Sequence, residues 1–170
     1  TLPYPDGRPG FYFVRLRYVD NIDEILAEEI AQRRVLQQDT VSIDGQAVPL
    51  QFSRLDMGKP AAAFDGDPDT VIRTLEANPL VLELTFPTAR TINGLSAIIG
   101  SANMRITALA YSSPDAEPIT YGTTIRGSVE QPLAELPFNP PISVVKLRIE
   151  FLDLNQQEPA HVHIWEIELK

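Results

Sequence analysis

Three carboxylates stand within five residues of one another in a loop that follows a run of small side chains. The loop reads Asp65-Gly66-Asp67-Pro68-Asp69-Thr70, and its glycine and proline allow a short segment to curl. Hard cations such as Ca²⁺ bind about six to eight oxygens from carboxylates, carbonyls and hydroxyls. The ligand spacing of an EF-hand, with its distant glutamate, is missing. On its own, such a segment is more often a solvated surface turn than a cation site.

Catalytic chemistry finds little support elsewhere in the sequence. The chain has no cysteine and two histidines; these are His161 and His163, on one face of the final predicted strand. Two outward rings could bind a transition metal, but packing beside Trp165 is the more frequent arrangement. Motifs for a serine nucleophile, a phosphate loop, a zinc protease or a dinucleotide site are lacking. A glycosidase needs a cleft for its carboxylate pair, so we expect a protein that is not an enzyme.

Composition and charge narrow the class of partner. The 170 residues are 44% hydrophobic and 22% charged, as in a soluble globular domain. The longest apolar runs are far shorter than the roughly 18 residues of a membrane helix. The net charge of −9 repels phosphate backbones, so we expect no nucleic acid partner.

The first 40 residues predict one strand and one helix. Residues Phe11–Val19 alternate between apolar and charged side chains, which is typical of a half-buried strand. An amphipathic helix is predicted over Ile22–Gln38, with acids early and bases late, as the helix dipole favours. Its apolar stripe, which includes Ile22 and Leu26, must pack on another surface. We interpret residues 1–40 as an extension or as the end of a preceding domain.

Short strands separated by turn residues fill residues 41–170. Asp44-Gly45 predicts a tight turn between two of them. Where the runs alternate, one face is apolar and the other polar, which favours antiparallel sheets that share a core. The sequence therefore predicts an all-β sandwich with a jelly-roll or related topology. The predicted strands are Val41–Ile43, Val48–Phe52, Leu80–Phe86, Ile92–Ile99, Arg105–Tyr111, Val144–Leu152 and Val162–Leu169.

The acidic loop and several strands together resemble a known family. Ala63-Phe64-Asp65-Gly66-Asp67-Pro68-Asp69-Thr70 is similar to the signature loop of discoidin domains, also called coagulation-factor type C domains, which are galactose-binding-like sandwiches. Leu80–Phe86 and the turn after it, then Val144–Ile149 and His163–Leu169, resemble that family's strands in the same order. The resemblance covers about residues 41–170. One departure is Val71, because the family usually has a tryptophan just after its Asp-Thr pair.

The resemblance implies a structural Ca²⁺ between the loop and the closing strand. Carried over by position, the ligands are the Asp65 carboxylate, the carbonyls of Ala62 and Asp67, the carbonyl and hydroxyl of Thr70, and the Glu166 carboxylate. Alternation in the closing strand places Trp165, Ile167 and Leu169 on its buried face, with Glu166 opposite. A carboxylate there is either solvated or bound to a cation.

A ligand site, in contrast, is not marked by any cluster in the sequence. Family members that bind sugars use loops at one end, with an aromatic ring for stacking and polar groups for the hydroxyls. Trp165 is predicted to be core, which leaves Phe138 as the best exposed aromatic candidate. The candidate ligand residues are Arg73, Arg105, Tyr121, Arg126 and Phe138, each also compatible with an ordinary surface position.

Two functions remain open at this stage. The resemblance favours a non-catalytic carbohydrate-binding module that binds a glycan. The alternative is a structural or protein-interaction domain without a small ligand, in contact with neighbouring domains of a longer chain such as a membrane glycosyltransferase. An extracytoplasmic location, secreted or exposed on a membrane protein, is expected because weak calcium sites fill where free Ca²⁺ is abundant.

Overall fold

A computed structural model describes residues 18–170. The strand predicted over residues 11–19 therefore lies almost entirely outside the described residues. Helix α1 spans Ile22–Arg33. The strands are β1 (Gln37–Ile43), β2 (Gln46–Phe52), β3 (Leu55–Met57), β4 (Ile72–Thr74), β5 (Leu80–Ile98), β6 (Asn103–Tyr111), β7 (Ile119–Arg126), β8 (Leu133–Asp153), β9 (His163–Ile164) and β10 (Glu166–Leu169).

Helix α1 is shorter and more exposed than the sequence predicts. It ends at Arg33, not at Gln38, because residues 37–43 pair with β2 instead. None of its twelve residues is buried, and Ile22 and Leu26 are each about half exposed. Its C-terminal end contacts the sandwich through ion pairs of Arg33 with Glu76 (3.3 Å) and of Arg34 with Glu158 (3.4 Å). The division of the chain at residue 40 stays a prediction.

The strands form two antiparallel sheets, as predicted. Six strands of the seven-stranded sheet lie in the order β1-β2-β5-β8-β6-β7, and β10 also pairs with β5; the second sheet has the order β3-β4-β9. The predicted turn joins β1 to β2, with positive φ at both Asp44 (51°) and Gly45 (76°), as a type I′ hairpin requires. The predicted strands 80–86 and 92–99 belong to the single long strand β5, which is irregular near Thr85–Gly94.

The predicted alternation positions most of the core correctly. Leu80, Leu82, Leu84 and Phe86 are all buried and belong to one hydrophobic cluster shared by the strands. In β8 the alternation predicts that Val145, Leu147, Ile149 and Phe151 face inward, and it is wrong at one position: Val144 is buried, whereas Val145 is half-buried. The reason is a register shift in the β5–β8 pairing between Thr85 and Arg90, which changes the side of the sheet that each residue faces.

The closing segment passes from one sheet to the other at Trp165. Strand β9 pairs with β4 in the small sheet, and β10 pairs with β5 in the large sheet. Trp165 stands between them, with its backbone N–H donating to the Ile98 carbonyl at 3.0 Å. The alternation is interrupted at this residue. Trp165 is therefore half-buried and not core, contrary to the sequence prediction.

Candidate functional site

The acidic loop and the closing strand meet in space. The Gly66 N–H donates to the Glu166 Oε2 at 2.9 Å, although the two residues are 100 positions apart in the chain. A short 3₁₀ helix, Pro60–Ala63, precedes the loop, and its Ala63 is fully buried in the core. The loop is thus fixed at its base by packing and along its length by the closing strand.

Oxygen atoms converge on the hydroxyl of Thr70. Its Oγ1 lies 3.1 Å from the Ala62 carbonyl oxygen, 3.0 Å from the Asp67 carbonyl oxygen, and 3.2 and 3.3 Å from the two carboxylate oxygens of Asp65. A hydroxyl has one proton to donate, so it can satisfy only one of these acceptors at a time. The resulting concentration of oxygen lone pairs has the composition of a hard-cation shell.

The charge in this loop is uneven. Burial raises the pKa of the Glu166 carboxyl, and the nearby Asp65 and Glu168 charges add to the rise, while backbone N–H donors from Gly66 and Ile167 oppose it. The Asp69 carboxylate differs from those of Asp65 and Asp67, because it accepts no hydrogen bond from the described residues. Within residues 18–170 no group of three or more His, Cys, Asp or Glu side chains is arranged for a metal. The two carboxylates, two carbonyls and hydroxyl fit Ca²⁺ better than a transition metal.

A pocket of about 280 Å³ opens on the other side of the sheet crossing. Its lining combines apolar side chains with the indole of Trp165. Side chains able to form hydrogen bonds come from the end of β8 and the segment after it, and from the approach to β9. The residues that line it are Ile99, Ser101, Ala102, Met104, Asp153, Asn155, Gln156, His161, Val162, His163 and Trp165.

Two neighbours hold the Trp165 ring in the pocket wall. Gly100 has a φ of +66°, and a Cβ added there would lie 3.0 Å from the ring carbon Cζ3, so only glycine lets the ring lie this close. The His163 ring stacks beside the Trp165 indole, with ring centroids 6.2 Å apart. Burial lowers the pKa of His163, and the charges of Arg73 and His161 lower it further. The preference for packing beside Trp165, stated for the histidines above, is confirmed for His163.

A buried hydrogen-bond network positions the polar wall of the pocket. The Asn78 side chain donates to the carbonyls of Asp153 (2.8 Å) and Gln156 (3.0 Å) and accepts from the Asp153 N–H (2.9 Å). The Asp153 carboxylate then accepts from the side chains of Asn155 and Gln156. Asn78 was missed in the sequence analysis, because nothing local marks it as a contact of residues 153–156.

Arg73 lies near this pocket but is already paired. Its guanidinium donates two hydrogen bonds to the Asp56 carboxylate, at 2.8 and 2.9 Å, and this contact holds the pKa of Asp56 below its usual value. His161 is adjacent, with its Nδ1 2.7 Å from the Thr74 carbonyl oxygen and 3.8 Å from Asp56 Oδ2. The His161 side chain is 45% exposed, and its second ring nitrogen has no hydrogen bond to a described residue, so that nitrogen is the group of this cluster left for a ligand.

The remaining candidate residues lie in two other places. Arg105 and Arg126 are exposed on the outer face of β6 and β7. Tyr121 and Phe138 form a stacked pair with ring centroids 4.2 Å apart. Phe138 is only 2% exposed, so the prediction that it is an exposed stacking residue is wrong; Tyr121 covers it, and the Tyr121 hydroxyl donates to the Pro140 carbonyl at 3.2 Å.

Comparison with solved structures identifies the fold. An F5/8 type C domain from Bacteroides fragilis is 21% identical, with a TM-score of 0.59, and the match covers 76% of this chain and 95% of that one. A fucose-binding module from Streptococcus pneumoniae is 20% identical, with a TM-score of 0.54 and coverage of 78% and 97%. A GH29 fucosidase from Ruminococcus gnavus, in complex with fucose, is 10% identical with a TM-score of 0.58.

These matches establish the architecture. The chain has a galactose-binding-like β-sandwich. Within that class its fold is discoidin-like, as the loop and strand pattern predict. The match with the fucosidase covers 72% of this chain and only 24% of the fucosidase chain. No protein-family model and no curated sequence matches the chain. In the part of the chain from residue 18 onward, no helix is long and apolar enough to cross a membrane.

Proposed function

We propose that the domain is a non-catalytic carbohydrate-binding module whose ligand occupies the Trp165 pocket. The observation that carries the proposal is the half-buried indole in a pocket that also presents exposed Asn155, Gln156 and His161 side chains. An indole face stacks on the C–H face of a sugar ring, and amide and imidazole groups hydrogen-bond its hydroxyls. The fold shared with a fucose-binding module supports this function. The comparisons do not favour the alternative of a domain without a small ligand.

The size and charge of the pocket favour a single sugar unit. At about 280 Å³ it is slightly smaller than the roughly 300 Å³ at which small-ligand pockets start. The carboxylate of Asp153, its one acid, accepts hydrogen bonds from the side chains of Asn155 and Gln156. Because the pKa of His163 is lowered by burial, that ring is uncharged at neutral pH. The pocket itself therefore suits the hydroxyls of a neutral ring.

We also propose that Ala62, Asp65, Asp67, Thr70 and Glu166 hold a structural Ca²⁺. The ion would supply charge neutralisation where Asp65 and Glu166 approach each other, and these residues would fix the loop against the closing strand. Calcium sites in extracellular modules are weak, with Kd about 10⁻⁴ to 10⁻³ M, so an extracytoplasmic location belongs to this proposal.

A glycan array probed with the labelled chain tests the binding function. We expect saturable binding that is lost in Trp165→Ala. It should be retained in the control Tyr18→Ala, which removes an aromatic ring from an exposed position near α1. Because the indole packs against Gly100, His161→Ala provides a second pocket variant at a more exposed side chain. Folding is checked by circular dichroism. Unchanged binding by both pocket variants, or no binding by the folded wild type, would contradict the proposed function.

A further inference from the structure

Two arginines form a pair on the outer face of the large sheet. Arg105 on β6 is opposite Thr124 on β7, and Arg126 is opposite Asn103. Residues directly opposite in an antiparallel pair share a face, and the inward neighbours Met104 and Ile106 are buried. Arg105 and Arg126 are therefore diagonal neighbours, with Cα atoms about 7–8 Å apart.

Neither arginine has an ion-pair partner within residues 18–170. Most other arginines there are paired, as Arg73 is with Asp56 and Arg148 with Glu150 (2.8 Å each). Glu150 is the acid nearest in register to this face, opposite Thr107, and it is the acid that Arg148 occupies. On a chain with net charge −9, two adjacent guanidinium groups without a carboxylate are an isolated positive patch.

The patch adjoins the rim of the Trp165 pocket. Ala102 and Met104 line that pocket, and Asn103 between them is the residue paired with Arg126. The Gly127 N–H donates to the Ala102 carbonyl at 3.0 Å, so the end of β7 is fixed to the rim. Arg105 is three residues beyond Ala102, about 10 Å along a strand. Met104 faces inward and the arginines face outward, so a chain of sugars that leaves the pocket must pass around the start of β6 at Asn103 to reach both arginines.

We propose that the ligand of this module is an acidic glycan, with one unit in the Trp165 pocket and the carboxylate of a following uronic acid on Arg105 and Arg126. Guanidinium groups match the planar carboxylate with two parallel hydrogen bonds. Arg73 does not provide this contact, because Asp56 already occupies its guanidinium. This inference rests on the proposed function, because it takes the pocket to be the sugar site.

Affinity electrophoresis of the whole chain on matched polysaccharides tests the proposal. The probes are polygalacturonate, alginate and hyaluronan, each beside its carboxyl-reduced counterpart, in which the acid becomes an alcohol. We expect tighter binding to at least one acidic polymer than to its reduced form. Arg105→Gln with Arg126→Gln should lower affinity for that polymer by about tenfold or more and leave affinity for the reduced form unchanged. Added salt should weaken only the acidic interaction.

Arg54→Gln is the matched control, because Arg54 is exposed, also lacks an ion pair among the described residues, and lies beside α1. Equal binding of acidic and reduced polymers, binding of none of the three acidic polymers, or an equal loss in Arg54→Gln would overturn the proposal. Failure of the proposed function looks different: Trp165→Ala would then bind the acidic and the reduced polymers as tightly as the wild type does.

Discussion

Trp165 and Glu166 are consecutive residues, yet their side chains lie in two different parts of the structure. Trp165 lines the pocket with His163 and Gln156, whereas the Glu166 carboxylate accepts from the Gly66 N–H at 2.9 Å. The chain crosses between the two sheets at this point, so one stretch of backbone connects the acidic loop to the pocket wall. The contact between the loop and Glu166 therefore also restrains the backbone that carries the Trp165 side chain.

Calcium should raise the melting temperature of the wild type. An ion that binds only the folded state stabilises it by about 2.7 kcal/mol at a hundredfold excess over Kd, which corresponds to roughly 5–10 °C for a domain of this size. Asp65→Asn should abolish the rise, since the Asp65 carboxylate lies beside the Thr70 hydroxyl at 3.2 and 3.3 Å. Differential scanning calorimetry with calcium and with chelator measures both.

Asp69→Asn is the control for that experiment. It removes the same charge from the same loop, but the Asp69 carboxylate is outside the set of oxygens around Thr70. We expect it to keep the calcium-dependent rise. A wild type that melts at one temperature with and without calcium, or two variants that respond alike, would count against the cation site.

Asn78→Ala should destabilise the fold and weaken glycan binding together. The substitution leaves the buried N–H and carbonyl of Asp153 and the part-buried Gln156 carbonyl without this partner, at a cost of about 2–4 kcal/mol. It also releases Asn155 and Gln156 from their fixed positions in the pocket wall. Urea unfolding gives the first effect, and titration with the glycan found on the array gives the second.

Asn93→Ala is a suitable comparison for Asn78→Ala. Asn93 is exposed and its side chain makes no hydrogen bond to another described residue, so the change should stay within about 0.5 kcal/mol. If Asn78→Ala unfolds at the same urea concentration as Asn93→Ala, the network does not hold this segment.

The sequence predicted those parts of the fold that follow from regular alternation. Leu80, Leu82 and Leu84 are buried as their spacing of two requires, and the discoidin-like loop pattern led to the contact between Gly66 and Glu166. Both signals are local or were carried by the resemblance. The alternation is local to one strand, whereas Gly66 and Glu166 are 100 positions apart and only the resemblance predicts that they meet.

The parts that sequence reasoning missed lack such a pattern. Strand β7 contains Gly122 and an exposed Ile119, so its apolar face is weak. The first half of β8 carries Pro137, Pro140 and Pro141, which read as a turn but lie on an irregular stretch of the β5–β8 pair. The Trp165 pocket is made from three separate segments, residues 99–104, 153–156 and 161–165, and no periodicity in one segment can indicate it.

Phe138→Leu should reduce stability and leave glycan binding unchanged. Phe138 is buried under Tyr121, so a smaller, non-aromatic side chain should lower the free energy of unfolding by roughly 1–3 kcal/mol. The pair is outside the residues that line the Trp165 pocket. Unfolding in urea and glycan titration separate the two effects. Weakened binding with unchanged stability would instead support the sequence-based assignment of Phe138 as a ligand residue.

Stability should fall as the pH drops below about 6.5, because of His163. Its pKa is lowered in the folded state by burial and by the nearby Arg73 and His161 charges, so the unfolded chain takes up a proton at a higher pH than the folded chain does. The stability that the neutral ring contributes is full above the unfolded pKa and is lost as the pH falls toward the folded pKa.

Melting curves of the wild type and of His163→Phe measure the effect. They are recorded at about pH 7.5, 6.5 and 5.5, which bracket the histidine pKa of the unfolded chain. The variant keeps an aromatic ring beside Trp165 but has no titrating group, so it should lose less stability over this interval. His161→Phe is the comparison, since His161 is more exposed and should keep most of the wild-type pH dependence. An identical pH dependence in wild type and His163→Phe would show that other groups cause the decline, because removing the half-buried His163 imidazole removes its contribution to the difference in proton uptake between the two states.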